Sequence, residues 1–210
     1  MSNLFLRFVS SAILLPLVIY FIYEKNFIFF ILLFLIFFIA VYEINLLYQL
    51  NKKIYFFLIL LIVIFILIII ELRGSSLKDF YYLIWAMTIV WMSDIGGFVI
   101  GKLFKGPTFS SYSPKKTISG LVGSIFLSQI SFLIILVFLN IKFNIIYFFI
   151  QLIVCISAIL GDLYFSFLKR KIKIKDFSNI LPGHGGLLDR IDGMIFGLII
   201  FYFLRFNYDF

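Results

Sequence analysis

Charged residues are scarce in this sequence. Asp, Glu, Lys and Arg make up 13% of the 210 residues, where soluble domains usually carry about a quarter, and 64% of the residues are hydrophobic. The mean hydropathy is +1.17. So little polarity cannot cover a surface that faces water. The composition therefore excludes a soluble globular protein and predicts an all-α integral membrane protein.

Cysteine and histidine each occur once. The single cysteine, Cys155, lies in an apolar run, so no disulfide can form within the chain and a buried thiol is expected. A Walker A phosphate loop is also absent. The net charge is +8, and the basic residues lie in short loops between apolar runs. This pattern favours membrane lipid and phosphate-bearing substrates as partners, and no nucleic acid.

About seven apolar runs approach the roughly 20 residues that a transmembrane helix needs. Glycine and polar residues interrupt the fourth and sixth runs, which predicts broken or shorter helices there. No convincing small-residue cleavage site follows the first run, so we expect a retained helix rather than a signal peptide. The sequence predicts a single transmembrane catalytic domain over residues 1–210, a polytopic bundle with spans at Leu4–Tyr23, Phe27–Leu47, Ile54–Leu72, Phe80–Phe104, Ile118–Leu139, Phe143–Leu168 and Ile191–Phe206.

Lysine and arginine are divided unevenly between the loops. With the N-terminus inside, most of the 18 Lys and Arg residues fall on the cytoplasmic side, as the positive-inside rule requires. This orientation places the two long basic loops, Lys102–Thr117 and Lys169–Leu188, in the cytoplasm. We therefore expect a multi-pass protein of the cell's inner (cytoplasmic) membrane, with its N-terminus inside and its active site facing the cytoplasm.

Acidic residues inside apolar runs are costly in a membrane, so each is a candidate for function. They include Asp94, Asp162 and Glu43, and the alternative for each is a helix-end residue that reaches water or caps a turn. Asp189 and Asp192 differ, because a spacing of three places both carboxylates on one helix face, where a cation would relieve their repulsion. Magnesium suits one or two carboxylates together with substrate phosphates, although D-x-x-D alone is weak evidence for a metal.

Two polar segments offer contacts to phosphate. The glycines of PGHGG, residues 182–186, allow backbone N–H groups to turn toward an anion at the start of the next helix. His184 either donates to a phosphate oxygen or only stabilises this loop. The segment SPKKT, residues 113–117, is either a second phosphate clamp or an ordinary basic loop. With the acids, these segments indicate a site for a divalent metal and a phosphate-rich ligand, which leaves open a kinase, a nucleotidyltransferase, a phosphatase and an anion transporter.

The stretch of residues 166–192 resembles the signature of the phosphatidate cytidylyltransferase (CDP-diacylglycerol synthase) family. The signature's fixed positions are met in order by Ser166, Lys169, Arg170, Lys175, Asp176, His184, Gly185, Gly186, Asp189, Arg190 and Asp192. Upstream, SDIGG around Asp94, the pair Gly161–Asp162 and SPKKTISG at 113–120 are similar to further family segments. Phe165 and Ser119 depart from the family, which commonly has an acid at the first position and an acid or amide at the second.

The resemblance implies transfer of CMP from CTP to phosphatidate, which gives CDP-diacylglycerol and pyrophosphate. It implies Mg²⁺ as cofactor and leaves open both a second cation and a homodimer. The implied metal ligands are Asp189 and Asp192, and Asp162 and Asp94 are either further ligands or residues that organise the site. The implied catalytic residues are Asp162, Lys169, Arg170, Lys175, His184, Asp189, Arg190 and Asp192. The implied substrate contacts are Ser113, Lys115, Lys116, Thr117, Ser166, Gly185 and Gly186.

The residue types suit this chemistry. Both substrates are polyanions, so metal and basic side chains would offset their repulsion and stabilise the charge that develops on the phosphoryl oxygens. The attacking phosphate oxygen is already charged, so no strong general base is needed. The alternatives are a CTP-dependent kinase or cytidylyltransferase acting on another lipid, a transporter of a phosphorylated solute, and an inactive homologue.

Overall fold

The structure is a computed structural model that describes residues 15–48, 51–110, 113, 116–142, 144–180 and 185–208. Across these residues the chain is helical and forms no strand, apart from an isolated bridge between Thr108 and Thr117. The helices are α1 (Leu15–Glu24), α2 (Phe27–Ile44), α3 (Lys52–Arg73), α4 (Leu77–Phe104), α5 (Ile118–Ser128), α6 (Phe132–Ile134), α7 (Ile145–Lys171) and α8 (Leu188–Tyr208).

Five apolar helical segments in the described part of the chain are long enough to cross a membrane. They are Phe27–Leu47, Lys52–Arg73, Leu77–Phe104, Ile118–Leu139 and Ile145–Lys171. Large apolar side chains on them are exposed, including Phe98 at 69% and Phe126 at 71%, which suits a surface that faces lipid. The predicted all-α polytopic fold class is therefore confirmed. The first and seventh predicted spans correspond to α1 and α8, and the count of seven stays a prediction.

The prediction of where helices break was wrong. The fourth and sixth spans form continuous helices, α4 and α7, of 28 and 27 residues. The fifth span is interrupted instead, by a 3₁₀ turn at Gln129–Ser131 and a π-helical turn at Ile135–Leu139. The glycines of α4 do not break it because an apolar environment offers no water to satisfy a broken backbone, and because they serve helix packing.

Small residues join α4 and α5. A Cβ atom on residue 97 would lie 2.7 Å from the Ser124 hydroxyl oxygen, and one on residue 120 would lie 2.8 Å from the Gly97 carbonyl oxygen. The Ser124 hydroxyl also donates to the Ser93 carbonyl at 2.7 Å. Small residues at helix interfaces in membranes permit such close backbone approach. The glycine-rich run after Asp94 is therefore explained in part by packing.

Side chains cap the starts of several helices. The Asn26 side chain accepts from the backbone of Ile28 at 3.0 Å, and Ser76 forms a reciprocal capping box with Asp79 at the start of α4. The Thr117 hydroxyl accepts from the Gly120 backbone at 3.1 Å at the start of α5. Each cap satisfies a backbone donor that the helix itself leaves without a partner.

The chain divides into two compact units. The first unit consists of Met1–Leu67 and Leu168–Ile191, and the second consists of Ile68–Phe167 and Asp192–Phe210. Helices α3, α7 and α8 each contribute residues to both units. The predicted site residues are divided between the two units as well.

Candidate functional site

In the first unit, the carboxylate of Asp189 is held by three donors. The Lys169 ammonium lies 2.5 Å from Oδ1, and the backbone N–H groups of Phe177 and Gly186 donate to Oδ2 at 2.9 and 3.0 Å. The side chains of Lys169 and Asp189 are only 10% and 6% exposed. This group of four residues, the Asp189 cluster, joins the end of α7, the following loop and the start of α8, so the signature folds back on itself.

Lys169 has a second contact that fixes its ammonium group. Its Nζ lies 5.4 Å from the centroid of the Phe177 ring, within the range of a cation–π interaction. Phe177 itself is buried. Burial of an ammonium group is costly unless other groups compensate it, as the Asp189 carboxylate and the Phe177 ring do here. The Lys169 ammonium and the Asp189 carboxylate are therefore held together at one fixed position.

Glu43 ties the same loop to α2. This residue is fully buried, and its Oε1 accepts from the Ser178 hydroxyl at 2.6 Å and from the Leu187 backbone at 2.8 Å. Its Oε2 accepts from the Leu188 backbone at 2.7 Å. We call Glu43 with these three donors the Glu43 clamp. A buried carboxylate is stable only when it is hydrogen-bonded in this way, and the start of a helix favours negative charge.

The two glycines of the loop are required by its geometry. Gly185 has a φ of 89°, which favours glycine. A Cβ atom on residue 186 would lie 2.8 Å from Oε1 of Glu43 and 3.0 Å from Oδ2 of Asp189. The N–H of Gly186 donates to Asp189, and those of Leu187 and Leu188 donate to Glu43. The start of α8 is thus occupied by the protein's own carboxylates, and phosphate binding by Gly185 and Gly186 stays a prediction.

In the second unit, the SPKKT segment meets the acid of the Gly161–Asp162 pair. Lys116 forms an ion pair with Asp162, and their side chains are 24% and 29% exposed. The Ser166 hydroxyl donates to Oδ1 of Asp162 at 3.3 Å, one helical turn further along α7. We call these three residues the Lys116 cluster. It unites two sequence segments that were each predicted to belong to the site.

Hydroxyl groups fasten the loop before α5. Thr117 and Ser119 share a hydrogen bond of 2.9 Å, and Ser119 also donates to the backbone carbonyl of Lys105. Lys105 ends α4 with a φ of 52°, a conformation that is strained for a residue with a side chain. Ser119, which departs from the family pattern, therefore has a structural contact with the basic loop.

Asp192 lies at a close approach of α7 and α8 in the second unit. It is 8% exposed, and its Oδ1 accepts from the backbone of Gly193 at 2.8 Å. A Cβ atom on residue 161 would lie 2.8 Å from the Asp192 carbonyl oxygen and 2.7 Å from a ring carbon of Phe196. Gly161 therefore allows the α7 backbone, next to Asp162, to lie against the α8 backbone at Asp192.

Most of the remaining predicted residues are exposed. Arg170 is exposed and donates to the Ile174 carbonyl at 2.9 Å, while Lys175, Arg190 and Asp94 are exposed. Ser113 is half-buried. His184 and Lys115 lie outside the described residues, so their predicted roles have no structural account.

The donor types suit magnesium, but the described residues do not form a ready-made cage. No group of three or more His, Cys, Asp or Glu side chains in this part of the chain could hold a metal ion. Carboxylate oxygens are hard ligands, and Mg²⁺ commonly takes one or two of them and completes its shell with water and substrate phosphate. The predicted ligands, Asp189 and Asp192, lie three residues apart in the sequence of α8. Metal binding stays a prediction.

The comparisons with known proteins identify the family. The sequence model of the cytidylyltransferase family matches residues 45–207, which include both clusters. The chain belongs to the cytidylyltransferase family. The resemblance that was noted over residues 166–192 is thereby confirmed, and it extends upstream through most of the described helices.

Several bacterial proteins are similar to part of this chain. A protein of Helicobacter pylori named phosphatidate cytidylyltransferase is 43% identical over 135 residues, which cover 61% of this chain and 50% of the relative. A Staphylococcus aureus protein of the same name is 41% identical over 120 residues, covering 56% and 46%. This member of the cytidylyltransferase family spans about half the length of the curated relatives that it matches.

Sequence reasoning missed Glu43 as a site residue. It was noted as an acid in an apolar run, but no role was assigned to it. Its partners lie 135 to 145 positions away in the sequence. The available signal was the cost of a charge within a span, which predicts a specific partner but cannot say which one.

Proposed function

We propose that the protein is a phosphatidate cytidylyltransferase, which transfers CMP from CTP to phosphatidate and releases pyrophosphate. Membership of the cytidylyltransferase family and the names of the bacterial relatives support the reaction class. The observation that carries the proposal is the Asp189 cluster, in which Lys169, Gly186 and Asp189 of the signature come together in a nearly buried polar group. Burial of such charged groups in an apolar helix bundle is costly, which supports a functional role for this cluster beside its structural contacts.

The proposed reaction needs positioned charge more than a base. A phosphate oxygen of phosphatidate attacks the α-phosphorus of CTP, and the bond to the bridging oxygen breaks, so that pyrophosphate leaves with its electron pair. The attacking oxygen is already an anion near neutral pH. The protein must therefore align two polyanions and stabilise the charge on the phosphoryl oxygens.

The described residues divide this work by charge and exposure. Lys169 is almost buried and keeps Asp189 oriented, whereas Lys116 is partly exposed in its pair with Asp162 and so remains accessible to a phosphate group. Arg170 and Lys175 are exposed on the loop that follows α7. Arginine binds phosphate through paired donors and lysine as a point charge.

Asp189 and Asp192 would hold Mg²⁺, with Asp162 and Asp94 as further ligands in the proposal. The metal, when bound, would neutralise negative charge on the phosphates of both substrates. The proposal leaves a second cation open. A homodimer also belongs to it, and light scattering of the detergent-solubilised protein would measure the mass of the particle.

The proposal places the protein in the inner membrane of a bacterium, with the active site and N-terminus on the cytoplasmic side. The apolar helices and the bacterial relatives support a multi-pass membrane protein. The excess of basic residues in the loops Lys102–Thr117 and Lys169–Leu188 favours this orientation. Labelling of single cysteines introduced in these loops, in sealed inverted vesicles, would test it.

The direct test is product formation by the purified protein. The protein in detergent is given phosphatidate, labelled CTP and magnesium, and we expect CDP-diacylglycerol and pyrophosphate in equal amounts, both abolished by EDTA. Asp189→Asn and Asp192→Asn should each abolish transfer without loss of folded protein. Glu71→Gln, at an exposed position on α3, is the matched control for loss of one negative charge.

Two results would contradict the proposal. Normal turnover by either aspartate variant would overturn its assignment as a metal ligand. No product from folded wild-type protein would exclude phosphatidate as acceptor, and a panel of other lipid phosphates and lipid alcohols would then identify a different acceptor. Uptake of a phosphorylated solute into vesicles without release of pyrophosphate would indicate a transporter.

A further inference from the structure

We infer that Glu43 is a positioning residue for the reaction, acting through the loop that carries Gly186 and Asp189. The inference rests on the proposed function for its kinetic consequence. The geometry that carries it lies entirely in the first unit. Glu43 is on α2, far in sequence from the signature, and has no predicted contact with substrate.

Glu43 holds three groups of the loop by hydrogen bonds. Its two oxygens accept three hydrogen bonds, from the Ser178 hydroxyl and from the Leu187 and Leu188 backbones, at 2.6 to 2.8 Å. These donors lie on both sides of Gly185 and Gly186. One buried carboxylate therefore fixes both arms of the loop to α2.

The Glu43 clamp and the Asp189 cluster are in direct contact at Gly186. Gly186 is so close to both acids that a Cβ atom there would lie 2.8 Å from Glu43 and 3.0 Å from Asp189. The N–H of Gly186 donates to Asp189, and the next two N–H groups along the chain donate to Glu43. A movement of residues 186–188 therefore moves a donor of Asp189 and, with it, the carboxylate.

Replacement of Glu43 by glutamine would remove one of the two acceptor oxygens that hold the loop. A glutamine at position 43 offers a single acceptor oxygen, and its amide nitrogen would face an N–H group in place of Oε2. A buried N–H without an acceptor is costly, so the start of α8 would shift or open. Removal of residues that orient active-site ligands commonly costs about 10- to 100-fold in activity or metal affinity. We expect the same range for Glu43→Gln.

The experiment separates positioning from simple loss of folding. Because a smaller folded fraction lowers the maximal rate but not the magnesium concentration at half-maximal rate, that midpoint is measured for Glu43→Gln and for the control Glu71→Gln. We expect a rise of about 10-fold for the first variant, as Asp189 is displaced, and no change for the second. Hydrogen exchange, followed by mass spectrometry, gives a readout without substrate.

In the exchange experiment, peptides that include Leu187 and Leu188 should exchange at least about 10-fold faster in Glu43→Gln, whereas peptides from α5 should be unchanged. Ser178→Ala removes one donor to Glu43 and should show the same changes to a smaller degree. Ser178→Thr keeps the hydroxyl and should behave like the wild type. If Glu43→Gln does not fold, the two Ser178 variants decide the matter.

An unchanged magnesium midpoint together with unchanged exchange at residues 187–188 would overturn the inference. Faster exchange with an unchanged midpoint would show that Glu43 is only structural, which also overturns it. If the wild-type protein makes no product from any acceptor, the proposed function fails. The exchange data would then still show whether Glu43 holds the loop, so the two failures are distinguishable.

Discussion

Gly161→Ala is the substitution that tests the close approach of α7 and α8 most directly. A Cβ atom at this position would lie 2.8 Å from the carbonyl oxygen of Asp192 and 2.7 Å from a ring carbon of Phe196. The ring can turn, but the carbonyl belongs to the backbone of α8. The added methyl group must therefore push the two helices apart by several tenths of an ångström, next to the predicted site residue Asp162.

The magnitude follows from two costs. Overpacking of a tight interface typically destabilises a protein by about 1–3 kcal/mol. A misplacement of about 1 Å can cost on the order of 100-fold in rate, so a shift of several tenths should cost about 10-fold. Gly193→Ala is the matched control on the same helix pair, because its Cβ atom would lie 3.1 Å from the Ala158 carbonyl oxygen and needs a smaller adjustment.

The assay measures CDP-diacylglycerol formation and thermal unfolding for both variants in the same detergent. We expect the larger loss of activity and the lower unfolding temperature for Gly161→Ala, with Gly193→Ala intermediate between it and the wild type. Wild-type activity and stability of Gly161→Ala would refute the close approach at Asp192. A greater loss for Gly193→Ala would show that the spacing of the helices is not what limits activity.

Two ion pairs of the second unit should respond differently to mutation. Lys116→Met and Asp162→Asn should each lower product formation by about 100-fold. Because the pair is partly exposed, the free energy of unfolding should change by less than about 1 kcal/mol. Parallel losses of activity and stability would show that the pair is only structural. Arg205 lies 2.6 Å from Asp79 and about 20 Å along α8 from Asp192. Arg205→Met should lower the unfolding temperature and leave the KM for CTP unchanged, and a raised KM would contradict this separation.

The helices could be predicted because each apolar run must satisfy its backbone within itself. The long runs from Phe27 onward became α2, α3, α4 and α7 for this reason. The positions of the breaks could not be predicted, because a glycine can either interrupt a helix or permit close packing against a neighbouring helix. In α4 the glycines permit contact with α5, whereas the fifth span changes its helical winding at Gln129–Ser131 and Ile135–Leu139, where no glycine lies.

The candidate site was predictable only where its residues are close in sequence or share a motif. The spacing of the signature pointed to Lys169, Gly186 and Asp189, and the structure joins them. The ion pair between Lys116 and Asp162 was not predictable, since the two residues were assigned on separate motifs with no indication of contact. Contacts between distant segments depend on how helices pack, and a periodic apolar pattern carries little information about that packing.

The start of α8 shows why the acids and bases of the signature are needed together. Glu43 and Asp189 bring two negative charges to the N–H groups of residues 186–188, and Lys169 offsets one of them. In the structure these N–H groups donate to the protein's own carboxylates, and phosphate binding at this helix start stays a prediction. A polyanionic substrate would therefore be repelled there unless cations compensate. The exposed Arg170 and Lys175, and the proposed magnesium ion, would supply that compensation. The affinity for CTP, the proposed substrate, should therefore depend on both salt and magnesium.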